Sequence, residues 1–265
     1  MKYIKTKYGS YALITGASSG IGEEFARRLA SEKYNLILVA RRLERLEKLA
    51  AELSSANGID VIPVQLDLSE ENFIENLKPI IEKKEIGILV NNAGVGSTGE
   101  FINADSDYET KMVKLNCVAP TILTHYVSRK MIERKNGAII FLGSVVAFQP
   151  TPYMATYAAT KVFNQFLGNA LWWELKKYNI DVLVVNPGGT ETEFQRIADA
   201  ATGPVPRMPK NVVDTALNAL GKKPNVVDGF FNKLISISSR FTSKKFIISA
   251  SGKITDKLYS KKGKS

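Results

Sequence analysis

The chain is predicted to fold as an α/β protein, a doubly wound parallel sheet of about seven strands with helices on both faces. Three observations lead there. Apolar, strand-like runs alternate with segments of helical periodicity along most of the length. The runs are continuously apolar, as strands covered on both faces must be. The first run leads through a glycine-rich turn into a helix, the opening of a β-α-β unit. The 265 residues are 45% hydrophobic and 23% charged, the balance of a globular chain with a substantial core. With no internal repeat and no composition break, residues 1–265 are read as a single domain.

Residues 11–15 (Tyr-Ala-Leu-Ile-Thr) form the first strand, and Ile21, Phe25 and Leu29 set the apolar stripe of a helix over 21–32. A second strand covers 35–40. The next helix, 42–56, carries Leu43, Leu46, Leu49, Ala50 and Leu53 on one face and stops at Asn57-Gly58. Strand three is 60–66, and Ser69 is the expected N-cap of a helix over 70–84. Strand four is 87–91. A long helix is expected over 108–135, closed by Asn136-Gly137, then strand five at 138–143. A helix over 153–178 precedes strand six at 180–186. Residues 209–220 are expected to be helical and 225–228 a short last strand. The stretch 190–209, rich in Gly, Pro, Thr and Ala, is expected to be a substrate lid, and 251–265 a mobile basic tail.

The formal net charge is +10, but it sits at the ends. Residues 1–8 carry +3, residues 240–265 carry +7, and the body between them sums to zero. A neutral body argues against nucleic acid as a partner. The basic tail leaves contact with a membrane surface as a minor alternative to a solvated end. No apolar run reaches the roughly 18 residues of a membrane span. Nothing near Met1 resembles a secretory signal, so a cytoplasmic location is expected. One cysteine, Cys117, excludes a disulfide framework. One histidine, His125, excludes a His-rich metal centre, and no metal is expected. Cys117 is expected to be buried, His125 to pack or face solvent, and Trp172-Trp173 to serve core or interface.

The turn Thr15-Gly16-Ala17-Ser18-Ser19-Gly20-Ile21-Gly22 has glycines that allow a sharp bend and close approach of a diphosphate to the backbone. The helix start beyond it offers free N–H groups and the positive end of the dipole. The second strand ends Val39-Ala40-Arg41-Arg42, without the acid that would bind a ribose 2′-hydroxyl. An arginine fork suits a 2′-phosphate instead, so NADP is the expected cofactor, with Arg41, nearer the strand end, favoured over Arg42. Tyr157 and Lys161, four apart, share one helix face. Ser144 ends strand five, on the side where open α/β sheets bind ligands.

Taken together these segments closely resemble the short-chain dehydrogenase/reductase family, whose fold is Rossmann-type. The resemblance rests on Gly16 through Gly22, Asp67 in Leu66-Asp67-Leu68, Asn91-Asn92-Ala93-Gly94, Asn116, Gly143-Ser144, Tyr157-Ala158-Ala159-Thr160-Lys161, and Asn186-Pro187-Gly188 with Thr192. They occur in the family's order across residues 10–195. Leu38-Val39-Ala40-Arg41-Arg42 resembles a mainly bacterial, NADP-preferring subgroup.

The resemblance implies four catalytic residues. Tyr157 is the general acid in carbonyl reduction and the base in alcohol oxidation. Lys161 and the positive nicotinamide lower its pKa, and Lys161 binds the nicotinamide ribose. Ser144 holds the substrate oxygen, and Asn116 fixes a water that links Lys161 to solvent. For the cofactor it implies Gly16, Ser18, Ser19, Gly20, Ile21 and Gly22 at the phosphates and Arg41 and Arg42 at the 2′-phosphate. Asp67 would meet the adenine, and Asn92, Ala93 and Gly94 the ribose side. Pro187, Gly188 and Thr192 complete the set, Thr192 at the carboxamide. A nucleotide-binding regulator without catalysis would show damage to Tyr157, Lys161 or Ser144, and none is damaged. Residues 145–156 carry no Lys, Arg, Asp or Glu, so the expected substrate is an apolar carbonyl or secondary alcohol. A homodimer or homotetramer joined through the two long helices is the implied assembly.

Overall fold

A computed structural model describes residues 5–198, 206–238 and 241–262. After a short helix α1 (Lys5–Tyr8), strands and helices alternate through β1 (Tyr11–Thr15), α2 (Gly20–Ser31), β2 (Asn35–Ala40), α3 (Leu43–Asn57), β3 (Val61–Gln65), α4 (Phe73–Ile81) and β4 (Ile86–Asn91). Helices α5 (Ser106–Val113) and α6 (Ala119–Arg134) follow, then β5 (Gly137–Leu142), α7 (Ala155–Lys176), β6 (Ile180–Asn186), α8 (Glu193–Ile197), α9 (Pro209–Ala219) and β7 (Asn225–Val227). Two helices, α10 (Phe230–Ser238) and α11 (Lys244–Lys262), come last.

The strands form one seven-stranded sheet in the order β3-β2-β1-β4-β5-β6-β7, with every pairing parallel. The order reverses between β1 and β4, and the crevice at such a reversal is where open α/β sheets take ligands. Each strand divides its side chains between two cores. Ile14, Leu38, Val90, Ile140 and Val185 face the layer of α2, α3 and α9. Leu13, Ile37, Leu89, Phe141 and Val184 face the layer of α4, α6 and α7. This double burial is the reason the strands are apolar throughout.

The expected strands all form, within a residue of their predicted ends. Gly58 ends α3 in the left-handed region, φ 64°, as its place after Asn57 implied. Four expectations are corrected. The helix after β3 starts at Phe73 rather than 70, because Ser69 caps nothing; its N–H and hydroxyl donate to Asp67 instead. The long helix is not uniform, since a wider π-type turn over Lys114–Val118 joins α5 to α6. Its end is made by Lys135 in the left-handed region, φ 52°, while Gly137 opens β5, where a Cβ would lie 2.4 Å from the Met131 sulfur. The basic tail expected to be mobile from 251 is helical to Lys262 within α11. The middle of the expected lid, 199–205, and the end of the tail, 263–265, lie outside the described residues.

Cys117 is buried and His125 exposed. Trp172 packs on the α6–α7 core, whereas Trp173 is 72% exposed. Among the described residues no helix is long and apolar enough to cross a membrane.

Phe73, fully buried, joins α4 to the sheet far from the switch-point crevice. Phe73→Ala should lower unfolding free energy by about 3–5 kcal/mol in urea titration, with cofactor binding by the folded fraction unchanged.

Candidate active site

One hydroxyl ties the two sides of the crevice at the β1–β4 reversal. Thr15 Oγ1 accepts from the N–H groups of Asn92 and Ala93, both at 3.0 Å, and donates to Val90 O at 3.2 Å. Asn92 Nδ2 then donates to Thr15 O (2.8 Å) and Gly16 O (3.2 Å). The Asn92 side chain therefore ties the chain leaving β4 to the turn leaving β1. Gly16 and Gly22 are required by this closeness. A Cβ on Gly16 would lie 2.7 Å from Asn92 Nδ2, and one on Gly22 would lie 2.3 Å from Gly16 O.

A cleft of about 510 Å³ runs from this turn along the strand ends. At its first end stands the start of α2. Ser19 occupies the N-cap position but makes no side-chain cap, so the first-turn N–H groups of α2 are left for another acceptor. The Ser19 hydroxyl accepts instead from Arg42 Nη2 at 2.8 Å, and the Ser18 hydroxyl accepts from the same guanidinium at 3.1 Å. Arg42 Nη1 also donates to Glu193 Oε2 at 2.7 Å, and Arg45 holds Glu193 Oε1 at 2.9 Å. The two guanidiniums hold the Glu193 carboxyl down at about 2. Arg41 lines the same cleft, on the side of Asp67. It is 66% exposed and 3.8 Å from Asp67, so of the two arginines it is Arg42 that lies across the glycine turn. Partial burial works against an ionised Asp67, and the two bonds from Ser69 outweigh it, leaving its pKa low. This end fits an adenosine diphosphate moiety: glycines that admit close backbone approach, uncapped amides, two serine hydroxyls and a guanidinium converge on it.

The other end holds the residues assigned to chemistry. Ser144 follows β5; its N–H donates to Asn186 Oδ1 at 3.0 Å, and Asn186 Nδ2 donates to Gln165 Oε1 at 2.8 Å. Gly143 is needed there, because a Cβ would lie 2.1 Å from Asn186 Oδ1. Tyr157 and Lys161, on α7, are both buried and line the same cleft as Ser144. Lys161 Nζ donates to Leu142 O at 2.9 Å and stands 5.6 Å from the Tyr157 ring centroid. Burial pushes the Tyr157 phenol up to about 12, partly offset by a hydrogen bond with Ser144. Burial also pulls the Lys161 ammonium down to about 8. At Tyr157 desolvation outweighs that hydrogen bond, and the ammonium is anchored on the Leu142 carbonyl beside the ring.

Asn116 lies in the π-type turn behind this group. Its side chain donates to Val95 O (2.9 Å) and Thr160 Oγ1 (3.0 Å) and accepts from Val95 N (3.0 Å). Its own carbonyl accepts from Asn164 Nδ2 at 2.9 Å. Pro120, four residues on, has no N–H to offer that carbonyl, a signal in the sequence for the irregular turn. Ser18, Ser19, Gly20, Ile21, Asp67, Ala93, Gly94, Pro187, Gly188 and Thr192 all line the cleft. Gly22 does not touch it and acts through packing instead. Thr192 precedes α8, with its N–H and hydroxyl both donating to Gln195 Oε1. Sequence reasoning missed Phe194, Glu193 and Thr255, which also line the cleft. Phe194 lies 5.4 Å from the Tyr157 ring. Only their place in the irregular 190–209 stretch and in the tail marked them.

Comparison with known proteins agrees with this geometry. The model of the short chain dehydrogenase family matches residues 10–202. The chain belongs to that family. It is 37% identical over 219 residues to a very-long-chain 3-oxoacyl-CoA reductase of Coccidioides immitis, covering 81% of this chain and 62% of the relative. The chain thus spans under two thirds of that fungal relative's length. A short-chain dehydrogenase from Sphingobium yanoikuyae, solved in complex with NADPH, superposes with TM-score 0.79 at 34% identity, covering 88% of this chain and 93% of the other. The bulky-bulky ketone specific alcohol dehydrogenase from Comamonas testosteroni gives TM-score 0.75 at 33% identity, with the same coverage.

Thr15→Val removes the hydroxyl that ties β1 to β4 and leaves two buried N–H groups without it. It should cost about 1–3 kcal/mol in urea unfolding and weaken cofactor binding in a fluorescence titration.

Proposed function

We propose that the protein is an NADP(H)-dependent carbonyl reductase acting on ketones with bulky or long lipophilic arms. The observation that carries this is the convergence of Ser144, Tyr157 and Lys161 in one buried group, in the cleft that begins at the glycine turn. Arg42, Ser18 and Ser19 support the NADP choice, since together they make a cationic, hydrogen-bonding place for a 2′-phosphate. Arg41 flanks it, and no acid ends β2. The NADPH found in the Sphingobium enzyme points the same way. The substrate half of the cleft is lined by Val95, Val145, Val146, Met154 and Phe194. The relatives' names share one chemistry, a ketone carbonyl carrying a large substituent: a very long acyl chain in the one, two bulky groups in the other.

A reduced nicotinamide supplies the hydride when bound. Ser144 Oγ holds the carbonyl oxygen and, with Tyr157, opposes the negative charge that grows there. Tyr157, protonated throughout the neutral range, gives its phenolic proton to that oxygen. Lys161 stabilises the phenolate left behind. Asn116 positions the water through which the proton is restored. Phe194, over Tyr157, excludes bulk water. The exposed apolar side chains Val118, on the π-type turn that opens into α6, and Phe163, Phe166 and Trp173, on α7, support a homodimer or homotetramer through these helices.

Tyr157→Phe should abolish turnover of a bulky ketone while NADPH binding persists by fluorescence titration; retained turnover contradicts the assigned acid. The pH profile follows from the two buried groups. Reduction requires charged Lys161 and neutral Tyr157, so its kcat/KM should be level below about pH 8 and fall above it. Alcohol oxidation requires the phenolate and should rise through the alkaline range. Reduction that rises with pH contradicts these roles.

A further inference from the structure

Helix α10 is built inside out. On α10 the inward positions are polar: Asn232 Nδ2 donates to Asp228 O at 2.7 Å, and Ser236 is buried. Its outward positions are Phe230, Phe231, Leu234 and Ile235, with Phe230 70% exposed. The spacing i, i+1, i+4, i+5 makes them one face. Past it, Phe241 is 85% exposed, and Phe246 on the first turn of α11 is 65% exposed beside Lys244 and Lys245. α11 itself carries exposed lysines and scattered exposed apolar side chains and turns Ser251 and Thr255 inward. Scattered exposed apolar residues need no explanation, but a helix with an apolar outer and a polar inner face, continued by Phe241 and Phe246, requires a cover.

Charge identifies the cover. Residues 240–265 carry +7, while residues 9–239 sum to zero. Lys233, Lys244, Lys245 and Lys253 are exposed among the outward apolar side chains. An isologous contact with a second copy would set one +7 segment against another. An anionic lipid surface accepts both features at once: apolar side chains enter the headgroup–acyl boundary, and lysines meet the headgroups. Position gives the contact a purpose. α11 lies against the chain beside Tyr157, with Gly252 packed on Pro152 and the Tyr153 hydroxyl donating to Asp256 at 3.0 Å. α10 packs on β7 and on residues 145–148, beyond Ser144.

We propose that α10 and α11 form a docking surface for an anionic lipid bilayer, lying in its interface and holding the mouth of the cleft toward the lipid. A lipophilic carbonyl then passes between membrane and cleft without crossing water. Docking itself does not rest on the proposed reaction, and its test reads binding apart from turnover.

The full-length protein is sedimented with phosphatidylcholine vesicles with and without phosphatidylserine. Binding is expected to the serine-containing vesicles and to be roughly tenfold or more weaker without the anionic lipid or at high salt. Phe231→Ser with Phe246→Ser, and separately Lys244→Glu with Lys245→Glu, should each weaken it by at least about tenfold, with NADPH binding and turnover of a water-soluble ketone unchanged. No vesicle binding by the parent protein overturns the proposal. So does full vesicle binding by the apolar variant together with a fall in its mass by light scattering, which assigns the face to a second copy. Should the apolar variant fail to fold, the charge variant decides alone: its undiminished binding overturns the proposal.

Discussion

The Thr15 hydroxyl, shared between Val90 on one side and Asn92 and Ala93 on the other, is the constraint on which the site depends. β1 and β4 are neighbours whose connections run to opposite faces of the sheet, so their ends must part. Without a tie, the parting would be wide and floppy, and the backbone groups left in it would lack partners. With it, the turn after β1 and the chain after β4 become two rigid lips. Every other feature of the cleft is placed relative to those lips: the start of α2, Arg42 across the turn, and Gly94 backing onto Asn116 and Lys161.

The second organising feature is burial without neutralisation by an acid. Tyr157 and Lys161 are enclosed, and the hydrogen bonds that satisfy them come from a carbonyl and a hydroxyl. Desolvation disfavours the charged form of each, so it moves the phenol up and the ammonium down. The pair is therefore set to hold a proton on the phenol at neutral pH, the state a reductase needs at the start of its cycle. Behind them, the π-type turn and Pro120 leave the Asn116 carbonyl outside the regular helical pattern, where Asn164 takes it. Irregular helix, buried amides and reacting residues form one connected unit.

Much of this was legible from the residues. Strand positions followed from apolar runs because double burial leaves no other composition, and the end of α3 followed from Gly58 because few other residues adopt its backbone angle cheaply. Of the site residues named from family resemblance, all but Gly22 and Asn116 line one cleft. What was not legible depended on side-chain direction. Arg41 was favoured from its distance along the chain; both arginines line the cleft, Arg41 beside Asp67 and Arg42 on the serines, and sequence spacing does not show how two neighbours at a strand end divide their directions. Ser69 looked like a cap because its type and place suited one, and a carboxylate two residues earlier took both its donors. The tail looked solvated because its lysines dominate the composition, although Ser251 is buried and Thr255 lines the cleft.

The central claim is that the cleft at the β1–β4 reversal carries a phosphorylated nicotinamide cofactor to within reach of Tyr157. The most direct measurement follows the nicotinamide absorbance after a bulky apolar ketone is added to the protein with NADPH, and in parallel with NADH. A steady loss of absorbance with NADPH, roughly tenfold or more faster than with NADH at equal concentration, is the predicted result. Equal rates with the two cofactors would contradict the place given to Arg42, and no loss with either across a series of such ketones would contradict the account as a whole.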